Sequence, residues 1–213
     1  MRVNIEIIKK ALIHDAIKIQ NLNEKELVKN MMTRRRLTRS SRILMYLANE
    51  CNFTKGTMIY ASAYGELIDS VNILEAINTN KTVSPTSFQH SVYNTAASYH
   101  SIVHKNTSEI LTLSSGENTS YCAMQQAALS LLKEEEVFVC AIEVINFKGI
   151  ELLNKCKDEL EYGVAFTLKL TDKKANIKVI DNQQKGLPSS LSWMKNLYDK
   201  CEDNQNPVVE VEL

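Results

Sequence analysis

Three kinds of side chain in this sequence have the types and spacing to do chemistry: a serine pair at a sharp turn, a cysteine beyond it, and histidines upstream. Ser114 and Ser115, with Gly116, separate the strand-like Glu109–Leu113 from a long Ala-rich helical segment. Strand, small-residue turn and helix are the outline of a nucleophile elbow, which exposes one side chain at a helix N-terminus where the dipole stabilises a developing anion. A serine nucleophile needs a base within hydrogen-bond reach. The four histidines, His14, His90, His100 and His104, all precede the turn, and no Gly-x-Ser-x-Gly signature surrounds it. A polar turn capping a helix is therefore the favoured reading. Cys122 lies about two helical turns further on. To act as a nucleophile it needs a cationic or histidine neighbour that lowers its pKa, and the sequence names none, so a small packing residue is expected.

His90 and His100 are ten apart and point roughly 80° away from each other on one ideal helix. His100 and His104 are four apart and share a face. Such a pair can bind metal, but no glutamate completes a zincin pattern. Surface or interface histidines, and no metal, are expected. Arg34, Arg35, Arg36, Arg39 and Arg42 form a basic cluster. It suits a phosphate carrier or an acidic protein surface, or equally a solvated helix start.

The elements that must position these residues follow from periodicity. Val3–Ile13 begins with strand-like alternation, with a helical continuation left open. Leu37, Ile43, Leu44 and Leu47 predict a helix over roughly Thr38–Glu50. Met58–Ala63 reads as a short buried strand, broken at Gly65. Leu67, Ile68, Val71, Leu74 and Ile77 make the next segment an amphipathic helix. Ser84 and Pro85 suit the N-cap and first turn of a helix that runs to about His104, with Phe88, Val92, Ala96, Tyr99 and Val103 as one stripe. "EVFVCAIEVI" predicts a central strand. "GVAFTLKL" and "ANIKVID" read as a strand pair, "SSLSWMKNLYDKC" as a last helix and "NQNPVVEVEL" as an extended tail. Asn21–Met32 and Asn182–Ser190 are the expected soft spots. Helices alternating with apolar strands imply an α/β sandwich.

The 213 residues suit one domain, 1–213, with 44% hydrophobic and 23% charged residues. Lys+Arg and Asp+Glu balance at 25 each, so no net basic field draws nucleic acid or an anionic membrane. The five cysteines, Cys51, Cys122, Cys140, Cys156 and Cys201, show no C-x-x-C spacing. That argues against a zinc site or redox pair and for reduced thiols in the cytosol. The N-terminus breaks its apolar residues with charges, unlike a signal peptide. No run approaches the roughly 18 to 20 apolar residues that span a bilayer.

In order, "SPTSFQHSVYNTAASYHSI" and "SEILTLSSGENTSYCAMQQAAL" resemble the first half of a β-ketoacyl synthase of the thiolase fold. The short β-ketoacyl-synthase-like family of aryl polyene and flexirubin pathways is closer still. Its motif S-P-T-x-F-x-x-S-V-x-N-A is matched by Ser84, Pro85, Thr86, Phe88, Ser91, Val92 and Asn94, with Thr95 where alanine is expected. An Arg-rich segment, here "RRRLTRSSRIL", and a strand ending in Gly-Glu, here "YASAYGEL" with Tyr64 where histidine is common, also fit. The resemblance spans roughly residues 34–170. It implies an α/β, thiolase-like fold with layered helices and a mixed sheet, truncated to mainly the N-terminal half of a ketosynthase.

Two departures from the family bear on activity. The elbow falls on Ser114 or Ser115, where a condensing enzyme has its acyl-accepting cysteine. The two histidines of the second half have no counterpart here. The resemblance therefore implies a subunit without catalysis of its own, similar to a chain-length factor, needing no cofactor. Its partner would be a full-length ketosynthase in a heterodimer within the cytoplasm, and acyl carrier protein would be met through that complex. Such folds pair through the strand before the elbow. His90, Tyr93, Asn94, Tyr99, Ile110 and Thr112 are thus the expected interface, and Leu67, Ile68, Val71 and Phe88 the expected end of the acyl tunnel. The alternatives are a small acyltransferase using Ser114 or Cys122 and a homodimeric thiolase-fold scaffold.

Overall fold

The computed structural model describes residues 1–147, 158–180, 183–202 and 204–213; Cys156, Asp181 and Asn182 lie outside them. A six-stranded sheet is built from β1 (Arg2–Asp15), β2 (Thr57–Ala61), β3 (Ile110–Leu113), β4 (Val137–Val144), β5 (Glu161–Leu170) and β6 (Val208–Glu212). The spatial order is β3-β2-β4-β5-β1-β6. The β3, β2 and β4 strands are mutually parallel, and the remaining pairs are antiparallel. The helices are α1 (Glu24–Leu27), α2 (Met31–Arg36), α3 (Arg39–Glu50), α4 (Leu67–Asn78), α5 (Pro85–His90), α6 (Thr95–His104), α7 (Thr119–Ser130) and α8 (Ser192–Lys200). The mixed sheet and layered helices are those expected.

Two apolar cores flank the sheet. The α7 and α8 helices cover one face, where Ala123, Met124, Ala127 and Met194 meet Val139, Val164 and Phe166. The α3 and α6 helices cover the other, where Ile43, Leu47 and Ala96 meet Phe138, Cys140 and Ile142. Every residue of β4 is buried, as a strand covered on both faces requires. Gly163 lets α3 approach closely, because a Cβ there would lie 2.7 Å from Ile43 Cγ2 and 2.8 Å from Leu47 Cδ1. The N-cap of α3 is Thr38, whose side chain accepts from Ser41 N at 3.2 Å, satisfying a donor the helix leaves free.

Four expectations are corrected. The N-terminal segment stays extended through Asp15 because it pairs with strands on both sides. A register shift between Ile7 and Lys9 turns the face towards α7 and α8 from odd positions (Ile5, Ile7) to even ones (Leu12), with Ala11 now in the core under α3, and that bulge broke the alternation in the sequence. The helix expected from Ser84 to His104 is two helices. Ser91 Oγ donates to Phe88 O at 2.9 Å and Thr95 Oγ1 to His90 O at 2.9 Å, so hydroxyls compete with the helix ladder and open it between α5 and α6. The stripe consequently splits, with Ala96 buried while Phe88 and Val92 face solvent. Residues 175–180 do not pair with β5, whose two edges are already taken by β4 and β1; Ile177 instead bridges Val209. Finally, the supposed soft spot at 21–32 carries α1 and buries Leu22 and Val28.

Candidate functional site

The β1, β2, β3 and β4 strands run in one direction, so their C-terminal ends share one edge of the sheet. Open α/β sheets place their sites at such an edge. The turn after β2 is its hub. Glu143, near the end of β4, is fully buried. It accepts from Ser62 Oγ (2.8 Å), Ala63 N (2.7 Å), Tyr64 N (3.4 Å) and Ser190 Oγ (2.8 Å). Burial pushes its carboxyl pKa up, and these donors pull against that rise. All four partners donate, which matches an acceptor-only carboxylate. Gly65 has φ +60°, and a Cβ on it would lie 3.1 Å from the Tyr93 ring. Tyr93 packs over this glycine and donates its hydroxyl to Ala63 O at 3.0 Å. Ser114 Oγ reaches the same carbonyl at 3.4 Å.

Glu66, which closes this turn, is also buried. It accepts from Thr38 Oγ1 (2.7 Å) and Ser40 Oγ (3.3 Å) at the start of α3. Burial pushes its carboxyl up to about 7, against the pull of those hydroxyls.

The elbow has the expected outline. Ser114 and Ser115 are exposed between β3 and a 3-10 turn at Gly116–Asn118 that leads into α7. Ser115 N donates to Thr119 Oγ1 at 3.0 Å, and Cys122 Sγ lies 3.4 Å from Ser115 Oγ. The serine and the cysteine are thus neighbours, but no histidine joins them. His14 sits on β1, four strands from β3, which at about 4.8 Å per strand is about 19 Å away. Its Nδ1 is 2.9 Å from Glu159 Oε2 and its ring stacks on Tyr162. His90 Nε2 lies 3.1 Å from the Tyr99 hydroxyl. His100 and His104 are on α6, across the sheet from α7. His100 is a core residue rather than a surface one. It is fully buried between Phe53 and His104, and neither ring nitrogen makes a hydrogen bond of ordinary geometry. Burial first, and His104 second, push its pKa down to about 3.

Five of the six residues expected at an interface line two adjoining hollows, while Tyr93 packs over Gly65. His90, Asn94 and Tyr99 line a cavity of about 240 Å³ with Val92, Ser98 and Ile102. Asn94, Ile110 and Thr112 line a groove of about 360 Å³ on the other side of Ser98 and Ile102. The groove borders β3, which among the described residues pairs only with β2 and whose other edge no described strand covers. Large apolar side chains also stand in solvent on the neighbouring helices: Leu74 (64% exposed) and Ile77 (58%) on α4, Phe88 (69%) on α5 and Ile102 (66%) on α6. The α4 helix buries no residue completely. The four expected tunnel residues diverge. Leu67 packs with Ile145, Ile68 joins the α3 side of the core, Val71 is half-buried and Phe88 points out.

Sequence reasoning missed the buried carboxylates. Glu143 stood in the open in "VFVCAIEV", where a charge inside a central strand demands donors. It also missed the role of Arg39, which grips buried Glu161 with Nε at 2.8 and 2.9 Å and Nη2 at 2.6 Å. Nη2 also reaches the Ile19 carbonyl. Arg42 pairs with Glu24 at 2.9 Å, and Arg34 donates to Val28 O at 2.7 Å. Three of the five clustered arginines therefore hold the fold. Among the described residues, no three His, Cys, Asp or Glu side chains are placed to hold a metal ion. No helix among them is long and apolar enough to cross a membrane.

Residues 15–207 match the family described as β-ketoacyl synthase, N-terminal domain. No curated protein matches the chain. Among solved structures, it is similar to the ketosynthase (ApeO) in complex with its chain length factor (ApeC) from Xenorhabdus doucetiae. The identity there is 18% over 90% of each chain, with a TM-score of 0.68. The ishigamide ketosynthase/chain length factor is 11% identical over 78% of this chain and 62% of that one, with a TM-score of 0.59. A β-ketoacyl synthase from Burkholderia phymatum STM815 is 11% identical over 80% and 60%, with a TM-score of 0.53. At these identities the likeness is one of fold, and it is the thiolase-like fold expected.

Proposed function

The chain belongs to the β-ketoacyl synthase N-terminal-domain family, and from that premise we propose that it is a non-catalytic, ketosynthase-like subunit: a chain-length factor. In this reading residues 1–213 act as one domain that pairs with a full-length β-ketoacyl–acyl-carrier-protein synthase in the cytoplasm. The pair extends an aryl polyene or flexirubin type of acyl chain delivered on acyl carrier protein. The observation that carries the reading is the set of exposed apolar side chains on α4, α5 and α6 together with an edge of β3 that no described strand covers. An open strand edge flanked by exposed Leu, Ile and Phe is a surface that association covers. A partner strand on β3 would continue the sheet, and the ridge of Ser98 and Ile102 would seat between two helices of the partner. Serine at positions 114 and 115 and the lack of a histidine bonded to Cys122 fit a subunit that leaves the condensation to its partner. His90, Tyr93, Asn94, Tyr99, Ile110 and Thr112 are the proposed contacts, and Leu67, Ile68, Val71 and Phe88 the proposed limit on chain length. The Xenorhabdus relative is a ketosynthase in complex with its chain length factor, which lends the pairing support by likeness of fold.

Co-expression with the ketosynthase encoded beside it, followed by size exclusion with mass detection, tests this. A stable one-to-one complex that Ile102→Glu disrupts, without lowering the Tm of the isolated chain, is expected. A well-behaved monomer that ignores the ketosynthase refutes it.

A further inference from the structure

The sheet has a second edge, β6, at the opposite end from β3. Ile7 N donates to Pro207 O and Leu213 N to Met1 O. Backbone direction alternates along a strand, so positions 207, 209, 211 and 213 face β1 while Val208, Glu210 and Glu212 face outward. Part of that outer edge is taken. Val208 O accepts from Asn176 N and Ile177 N at 3.0 Å each, Val208 N donates to Asn176 Oδ1 at 2.8 Å, and Ile177 bridges Val209 in parallel. Gln125 Nε2 donates to Glu212 O at 2.7 Å. Beyond the bridge the pairing stops, and Glu210 O and Glu212 N have no hydrogen-bond partner among the described residues. A slot of about 750 Å³ opens there. Tyr121 of α7 and Trp193 of α8, with ring centroids 5.8 Å apart, line one side of it. Residues 174–179 form one bank, with Lys174 and Lys178. The β1 and β6 strands form the other, with Arg2, Glu210 and Glu212.

An unmet C=O and an unmet N–H two residues apart on one edge match the backbone of an extended chain, and this edge already carries such a chain at Asn176 and Ile177. Strand addition uses that complementarity. Three cations and two carboxylates rim the slot, and Arg2 lies 3.2 Å from Glu210 and 3.9 Å from Glu212. A charged side chain of either sign would meet its like there, whereas a hydroxyl, which donates and accepts, suits both banks. We propose that this slot binds an extended segment of a partner protein as an added strand on Glu210 and Glu212, alternating apolar side chains towards Tyr121 and Trp193 with hydroxyl side chains towards the charged rim. A second copy of β6 fits less well, because two-fold antiparallel pairing would set its glutamates against their own copies. The slot lies at the other end of the sheet from β3, so the proposal stands apart from the pairing with a ketosynthase.

Trp193 is the only tryptophan of the chain and lines the slot, so its fluorescence reports occupancy. The test is a titration of the full chain, alone and with the ketosynthase, with the capped peptide Ser-Val-Thr-Val-Thr-Val-Ser. A saturable change in emission is expected. A peptide of the same composition with its valines contiguous turns a valine to the charged rim, and it should bind about tenfold more weakly. N-methylation of alternate amides should abolish binding in one phase and spare it in the other, because only one set faces β6. Glu212→Pro removes an outward donor and spares the bonds to β1. It should weaken binding about tenfold, with circular dichroism and ketosynthase pairing as in wild type. The methylated peptides decide the matter even where that proline disturbs the fold. No saturable change, equal binding of the regrouped peptide, or equal effects of the two methylation phases overturns the proposal. A dimer of the chain that Glu212→Pro dissolves, with no peptide bound, also overturns it, because the edge would then pair with itself.

Discussion

His100 makes the sharpest claim on the energetics of this fold. Its ring is sealed between Phe53 (5.5 Å between centroids) and His104 (4.5 Å), with no hydrogen bond of ordinary geometry. The folded state holds the imidazole neutral down to about pH 3, whereas a free histidine side chain takes up its proton near 6.5. Between those values the unfolded chain binds the extra proton. The residue's contribution is therefore intact above pH 6.5 and lost as pH falls towards 3. At about 1.4 kcal/mol per unit, the loss is about 2 kcal/mol at pH 5 and about 5 kcal/mol once pH 3 is reached. Glu66 runs the other way. Its folded carboxyl keeps its proton to about pH 7, so the stability it adds is present below 4.5 and fades as pH rises through 7. A wild-type curve mixes the two, so the informative quantity is the difference between wild type and His100→Phe. Phenylalanine keeps the stack with Phe53 and buries no unpartnered nitrogen, so near neutral pH the variant should match or exceed wild type. Urea melts at several pH values give the test. The variant's advantage should grow by about 2 kcal/mol between about pH 7.5 and pH 5. Two parallel curves would show that the ring titrates as if solvated and would refute the burial argument.

Other substitutions probe the supports of the site. Gly163→Ala drives a methyl into Ile43 and Leu47, and chemical denaturation should show a loss of about 1–3 kcal/mol, partly restored by adding Leu47→Ala. Arg39→Ala leaves buried Glu161 without its bidentate partner, which should cost about 3–5 kcal/mol in the same assay; Arg39→Lys should recover little, because an ammonium cannot reproduce the fork. Glu143→Gln turns an acceptor-only group into one whose amide faces the Ala63 N–H or the Ser62 and Tyr64 donors. It should cost about 1–3 kcal/mol and raise amide exchange at Ala63 and Tyr64 in a hydrogen-exchange measurement.

Much of this fold is legible where one period dominates a segment. The α3 helix was readable because Ile43, Leu44 and Leu47 repeat at helical spacing and meet one core. The β4 strand was readable because six consecutive apolar residues, Val137–Ile142, with β-branched ones among them suit a strand buried on both faces. The reading lost its grip where a tertiary event reset the phase. The bulge after Ile7 swaps which face of the sheet the odd and even residues of β1 meet, so one alternation does not fit the whole segment. The hydroxyls at Ser91 and Thr95 cut a pattern that propensity alone runs straight through. Strand partnership was equally hidden, since local sequence does not say that β5 already spends both edges on β4 and β1.

The candidate site divides along the same line. Its apolar face was named from a resemblance, and the structure gives the matched Gly-Glu strand end a physical role: Gly65 makes room for Tyr93, Tyr93 pins the Ser62–Glu66 turn, and that turn caps Glu143. A motif of this kind conserves a scaffold as readily as a reaction, so the match alone does not separate an enzyme from its inactive partner. The chemistry of the edge does bear on that choice. Every polar group that Glu143 and Glu66 can reach there is already hydrogen-bonded within the protein. Ser114, Ser115 and Cys122 are open to solvent but bond to no imidazole. A site poised for acyl transfer holds the reverse arrangement, with its base free to turn towards the nucleophile. The carboxylates of this edge are arranged for rigidity: Glu143 ties the turn after β2 to Ser190, and Glu66 ties the same turn to the start of α3, so three segments keep one geometry.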